Sequence, residues 1–228
     1  MRIIFVRHGH PNYRNDCLTE IGHRHAEAAA IRLCNEKIEK IYSSSCGRAV
    51  ETAEHIAEKF GLPVLKCDFM REINWGSING EPLFQNGHPW FTIDDMIANG
   101  QSLTNIDWAK SPIFSNNKVI SSVQKIGEEL DRFLASLGFD RERDYYRVRK
   151  YNDTTIVMAS HGGSSSAALA HLFHLTFPHA CAIIRPDYTA ITIVTLHGKE
   201  GCLVSPQFEL LNDARHISDI SAQNVYDK

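Results

Sequence analysis

Four consecutive apolar residues, Ile3-Ile4-Phe5-Val6, end abruptly at Arg7-His8-Gly9. A short apolar run with a β-branched bias suits a strand buried on both faces, as in a parallel sheet covered by helices. Ile41-Tyr42-Ser43 reads as a second such strand, Pro63 to Phe69 as a third, and Thr154 to Ala159 as a further buried one. Helical patterns lie between them. Thr19 is placed to cap a helix in which Ala26, Ala29, Ala30 and Leu33 recur at helical spacing. Ala49, Ala53, Ile56, Ala57 and Phe60 share one face of a second helix, with Gly61 as its stop. Alternating strands and helices imply right-handed βαβ units and a parallel sheet.

From Ser77 to about Lys118 this regularity fades, and Gly, Pro, Asn and aromatic residues become frequent. Such a stretch is expected to be a loop-rich cap or lid inserted into the domain. Val119, Val123, Ile126, Leu130, Phe133, Leu134 and Leu137 then mark an amphipathic helix. Arg141 to Tyr151 is rich in Arg and Tyr, a composition that fits an exposed hairpin or solvated turn as well as an RNA-binding strip. A Ser/Ala-rich helix is expected from about Ser164 to Leu175, and final strands over Thr189 to Leu196 and Leu203 to Leu210. The expected fold is a three-layer αβα sandwich with a mostly parallel central sheet, and residues 1–228 form one domain with the cap at about 77–118.

Composition narrows the function classes. Lys and Arg number 24 against 27 Asp and Glu, a formal charge of −3, which argues against a dedicated nucleic-acid binder. Cys17, Cys34, Cys46, Cys67, Cys181 and Cys202 are scattered without a CxxC pair, as expected of thiols in a reducing compartment. The opening apolar run is too short for a signal-peptide core, and no stretch approaches a membrane span. A cytoplasmic protein without membrane partners is expected.

In an open α/β sheet, ligands bind outside the carboxyl ends of the strands. Arg7-His8-Gly9, Ser43 to Arg48, Glu72 and Ser160-His161-Gly162-Gly163 all follow predicted strands there. Two Arg, two His and one Glu suit a phosphoryl group. Guanidinium groups of Arg7 and Arg48 match phosphate oxygens bidentately. A neutral His8 can attack phosphorus in line, and nearby guanidinium charge favours that neutral form. His161 can donate to a phosphoryl oxygen in the transition state. A protonated Glu72 can supply the leaving oxygen with its proton and then take one from the attacking water. Gly9, Gly162 and Gly163 allow tight turns that bring backbone N–H groups close to the anion. Phosphate binding is thus assigned to Arg7, Gly9, Arg48, His161 and Gly162. Catalysis falls to His8, Glu72 and His161 together with the two arginines.

These residues carry a known pattern. Phe5-Val6-Arg7-His8-Gly9, Leu18-Thr19-Glu20-Ile21-Gly22, Tyr42 to Ala53 and Ala159-Ser160-His161-Gly162-Gly163 resemble, in order, the motifs of the histidine phosphatase superfamily, which includes the cofactor-dependent phosphoglycerate mutases. The resemblance runs from about residue 1 to 196 and is weakest in the middle insert. It implies a phosphohistidine at His8, a phosphate pocket of Arg7, Arg48 and His161, an acid at Glu72 and no metal. Where many members place Glu after the Arg-His-Gly triplet, this chain has His10 and then Pro11. The loop from His10 to Leu18 is also short beside that of the mutases, which favours hydrolysis. A small phosphorylated substrate is expected, although the irregular cap could equally admit a phosphoprotein. Within that loop, Arg14 and Asn15 are candidate substrate contacts.

Other readings stay open at this point. His8-Gly9-His10 is a His-x-His pair that a metal-dependent hydrolase would use, with Asp, Glu or further His from later strand ends. A mutase or a non-catalytic phospho-ligand binder would share the same pocket. Trp75, Trp90 and Trp108 either line that pocket or pack beneath the cap. Ser164, Ser165 and Ser166 begin a helix rather than serve as nucleophiles. His23, His25, His171, His174, His179 and His216 are read as surface or satisfied polar residues rather than ligands.

Overall fold

Strand β1 (Arg2–Arg7) is buried along all but its first residue. The computed structural model describes residues 1–220. A two-residue ladder, β2 (Pro11–Asn12) with β3 (Cys17–Leu18), follows and leads into α1 (Glu20–Arg32). The Thr19 hydroxyl caps α1 by accepting from the Gly22 amide at 3.1 Å. Next come β4 (Ile38–Ser43), α2 (Gly47–Phe60) and β5 (Val64–Lys66). Gly61 ends α2 in the left-handed conformation, φ 64°, the conformation that favours glycine. The third strand is shorter than its apolar run suggests, because Asp68–Met70 turns into a 3₁₀ coil.

The insert opens with a distorted 3₁₀ turn (Phe84–Gly87), then forms α3 (Pro89–Ala98) and the single turn α4 (Pro112–Ser115). A loop-rich reading missed α3 because it is short and its ends are marked by Pro89 and Asn99 rather than by a long periodic face. Ser77 and Asn117 form one antiparallel bridge, and the Lys118 amide donates to the Gly76 carbonyl at 2.9 Å. The two ends of the insert therefore lie side by side. Its apolar side chains Trp90, Ile93, Met96 and Phe114 join the main core, so it is packed rather than draped.

The amphipathic helix α5 (Val119–Ser136) leads into the hairpin β6 (Phe139–Glu142) and β7 (Tyr145–Val148). Within this Arg/Tyr-rich hairpin, Arg141 pairs with Asp131 and Arg147 with Glu142. After β8 (Thr155–Ser160), helix α6 (Gly162–Leu172) begins two residues earlier and ends three residues sooner than its Ser/Ala pattern suggests. The chain closes with α7 (Phe177–Ile183), β9 (Ile191–Thr195), β10 (Leu203–Val204) and β11 (Gln207–Asp213). The final apolar run splits at Ser205-Pro206: β10 joins β7, while β11 joins the main sheet.

That main sheet has the order β11-β9-β1-β8-β4-β5. The strands β1, β8, β4 and β5 are parallel, and β9 runs against both of its neighbours. Alternate side chains feed two cores. Ile4, Val6, Ile41 and Val157 face α1 and α2 with Ala30, Ala53 and Ile56. Ile3, Phe5, Ile156 and Met158 face the other side with Leu130 and Leu134 of α5 and Leu169 of α6. A sheet buried on both faces explains why its central strands read as continuous apolar runs. The result is the expected αβα sandwich.

Candidate active site

The pairing of β1 with β8 puts Arg7 opposite Ser160, and that of β4 with β8 puts Ser43 opposite Ala159. Three strand ends therefore finish level, and the residues just beyond them meet. The His8 amide donates to the Ser160 carbonyl at 2.9 Å, and the Ser44 amide to the Ala159 carbonyl at 2.8 Å. The loop after β1 passes very close to the start of α1. A Cβ on Gly9 would sit 2.4 Å from the Gly22 carbonyl oxygen, and one on Gly22 would sit 2.2 Å from that of His10. Only glycine at both positions permits this crossing.

His8 is buried, and its two ring nitrogens have different neighbours. Nδ1 lies 2.7 Å from the Gly9 carbonyl, so it must carry the proton and donate. Nε2 then carries the lone pair and accepts from Arg48 Nε at 3.3 Å. Burial holds the His8 pKa well below the usual histidine range, and the charges of Arg7 and Arg48 push in the same direction. The ring is thus a neutral imidazole with its free electron pair facing the Arg48 guanidinium.

His161 stands edge-on to His8, with ring centroids 5.1 Å apart. Its Nε2 is 2.8 Å from Ser44 Oγ, which also accepts from the Cys46 amide at 3.2 Å. Burial first, then His8 and Arg48, keep His161 neutral to well below the ordinary range. Arg7 is buried, donates to the Pro186 carbonyl at 2.6 Å and lies over the Tyr188 ring, 4.4 Å from its centroid. Arg48 sits in the first turn of α2, paired with Asp16 and 5.4 Å from the centroid of Tyr13. Asp16 also accepts from the Gly47 amide at 2.8 Å, so one carboxylate fixes both the helix start and its arginine. Glu72 comes from the turn after β5. Its Oε1 accepts from the amides of Ile73 at 2.9 Å and Ser164 at 3.2 Å. Burial pushes its carboxyl above the usual range, against the opposing pull of those amides and of Arg48 and Arg7.

Arg7, Arg48, Glu72 and Gly162 line one pocket of about 470 Å³; His8, only 1% exposed, is not among its lining residues but touches one of them, Arg48. Gly162 opens α6, where first-turn amides have no intrahelical acceptor and can face an anion. Gly9 differs from its expected use: its amide donates to Thr52 Oγ1 at 3.1 Å, directed at α2. Gly163 is pressed against Glu72 and Trp75, where a Cβ would come within 2.7 Å of both. Trp75 and Trp90 line the pocket, while Trp108 packs against Phe114 and Phe177. Arg14 and Asn15 are exposed and line no part of it, whereas their neighbour Tyr13 does.

Asp16, Ser44, Thr52 and Tyr188 escaped the sequence reading. Ser44 and Thr52 lay within the recognised Tyr42 to Ala53 motif, which was a signal. Asp16 and Tyr188 had none, since each acts on a residue distant in the chain. His25, read as a surface or satisfied polar residue, is fully buried and stacks on Tyr188. His10 bonds to Thr19 Oγ1 at 2.9 Å. Among the described residues, no three His, Cys, Asp or Glu side chains group as metal ligands would. Among them too, no helix is long and apolar enough to cross a membrane.

Residues 3–102 match the family described as histidine phosphatase superfamily (branch 1). A probable phosphoglycerate mutase of Yersinia pestis is 34% identical over 92 residues, covering 36% of this chain and 43% of that protein. The chain therefore spans less than half the length of the curated relatives it matches. Mycobacterial glucosyl-3-phosphoglycerate phosphatase, solved with inorganic phosphate, superposes with a TM-score of 0.65 at 23% identity over 95% of this chain and 99% of that one. Phosphoserine phosphatase of Entamoeba histolytica gives 0.63 at 21% identity, covering 95% and 98%. At such identities the two structures speak for the fold alone.

Proposed function

We propose that the chain, whose residues 3–102 match the histidine phosphatase superfamily, is a member that hydrolyses phosphate monoesters through a phosphohistidine formed on His8. The observation that carries this reading is the His8 ring itself. Its proton is held on Nδ1 by Gly9, and its Nε2 lone pair faces Arg48 in a buried, cationic setting. A ring held this way is a nucleophile needing neither deprotonation nor reorientation.

In the first step Nε2 attacks phosphorus as the ester P–O bond breaks, and the leaving oxygen takes the Glu72 proton. Arg7, Arg48, His161 and the Gly162 amide bear the charge on the equatorial oxygens. In the second step water attacks phosphorus, Glu72 takes its proton, and the P–N bond returns its electrons to His8. The raised Glu72 pKa supports the donor role, because a carboxyl must hold a proton to give it. Asp16, Ser44 and Thr52 act as positioning residues. Cytoplasmic location and a small-molecule substrate belong to the same proposal. Six unpaired thiols support the former.

The names of the curated relatives favour a second reading, a mutase that returns the phosphoryl group to its substrate. Release of inorganic phosphate from 4-nitrophenyl phosphate in excess EDTA, with His8→Ala beside the wild type, tests the hydrolase. Turnover lost in the variant, with a rapidly labelled acid-labile phosphoprotein only in the wild type, is the expected result. EDTA-sensitive turnover would revive the His-x-His metal reading. Isomerisation without net release would establish the mutase, and phosphate binding without turnover a binder.

A further inference from the structure

We infer that the substrate is a small phosphate monoester whose organic part is a flat, uncharged ring, held between the aromatic side chains that wall the pocket. This rests on the phosphatase reading of the same site and adds what lies beyond the phosphorus. The pocket draws on three separate segments: Tyr13 from the β2–β3 loop, Ile73 and Trp75 from the turn after β5, and His88, Trp90 and Phe91 around the start of α3.

The aromatic groups form a continuous wall. The His88 ring lies 5.4 Å from Trp75, 5.4 Å from Phe91 and 6.4 Å from Trp90, centroid to centroid. These spacings are those of rings in contact, and they present π-faces and edges to a guest. Burial, and then Arg7, push the His88 pKa down to about 4, so this ring too is uncharged at neutral pH. Trp90 is a buried part of the wall, whereas Tyr13 is 62% and Phe91 45% exposed, which places large rings at the mouth.

Charge points the same way. Among the described residues, the only cationic side chains lining the pocket are Arg7 and Arg48, and both are needed for the transferring phosphoryl group. The other formal charge available is that of Glu72. A carboxylate or second phosphate on the substrate would meet aromatic surface and an acid, with no cation to offset its desolvation. Arg185, paired with Asp94, and Arg71, which donates to Ser45, are not among the lining residues. A neutral ring loses nothing on entering such a pocket.

Matched phosphonates, which bind without being hydrolysed, isolate recognition from catalysis. Titration calorimetry of the wild type should show benzylphosphonate binding about tenfold or more tightly than 2-carboxyethylphosphonate. Phe91→Ala should lower that preference about three- to tenfold, and Phe91→Arg should lower it further by offering the carboxylate a cation. Equal or reversed affinities in the wild type overturn the inference. So does a preference that neither Phe91 variant moves. Turnover of benzyl phosphate and 3-phosphoglycerate is measured alongside, since their leaving alcohols are of comparable basicity. Hydrolysis of both without a ring preference in binding leaves the phosphatase and removes this inference. A ring preference in binding with no hydrolysis of either ester does the reverse.

Discussion

Asp16 fixes Arg48 and its helix together: one carboxylate oxygen takes the guanidinium, and the other accepts the amide of Gly47, 2.8 Å away, at the start of the arginine's own helix. Arg48 in turn reaches Nε2 of His8 at 3.3 Å. A half-exposed loop carboxylate thus sets the aim of a buried cation, and through it the reactive face of the imidazole. Without Asp16, Arg48 would keep its charge but not its direction.

Asp16→Asn is the clean test of that aim. Asp16 has φ 50°, a left-handed conformation that Asn also tolerates, so the backbone is not strained by the change. The amide side chain keeps an acceptor for Gly47 but loses the ion pair. We expect kcat/KM to fall roughly ten- to hundredfold through misplacement of Arg48. Stability should change by less than about 1 kcal/mol, because the pair is partly solvated. A variant with wild-type kinetics and an unchanged pH profile would reduce Asp16 to an ordinary surface pair.

The pH profile of kcat/KM should be a dome. Its acid limb belongs to His8, which must be neutral to attack and whose pKa lies well below the usual value of about 6.5, so activity persists into mild acid. Its alkaline limb belongs to Glu72, which must be protonated to donate and whose pKa is raised above the ordinary carboxyl range. Glu72→Gln should remove the alkaline limb for alkyl phosphates and cost them about 10²-fold or more, while nitrophenyl esters lose less. Equal losses for both leaving groups, with the limb intact, would deny Glu72 its role.

Stability should weaken in mild acid. His8, His161 and His88 are buried neutral, with pKa values below that of the unfolded chain; His88 reaches about 4. As pH falls below about 6.5 the unfolded chain takes up protons that the folded protein refuses, so each step down favours unfolding. The stabilising contribution is complete above that pH and is lost through it toward the folded values. Urea denaturation at pH 7.5 and pH 5 should show this loss, and His88→Phe should flatten it. An undiminished slope in that variant would remove His88 as a contributor.

Gly163→Ala should disable the acid without unfolding the protein. The new methyl would sit 2.7 Å from Glu72 Oε1 and 2.7 Å from the Trp75 ring, so those side chains must shift. We expect kcat for alkyl phosphates to fall about tenfold or more while nitrophenyl turnover declines less, with the thermal midpoint lowered by only a few degrees. Unaltered kinetics would show that Glu72 and Trp75 can give way freely.

The amino-acid sequence alone determined the elements and the chemistry placed at their ends. Buried parallel strands must be apolar on both faces, so Ile3 to Val6 and Thr154 to Ala159 announce themselves without partners. Thr19 and Gly61 mark helix ends because capping is settled within a few residues. Arg7, His8, Arg48 and His161 follow those elements directly and could be read as one phosphate site. What the tertiary structure decided is every relation across the fold. The strand order, with β8 between β1 and β4, brings His161 beside His8. The Asp16–Arg48 pair, the Tyr188 platform under Arg7 and the wall from Trp75 to Phe91 arise only when distant segments meet. Local patterns encode what a segment can become, because backbone geometry and burial act over a few residues. The partner of a side chain is selected by packing over the whole chain, and no short window of sequence holds that information.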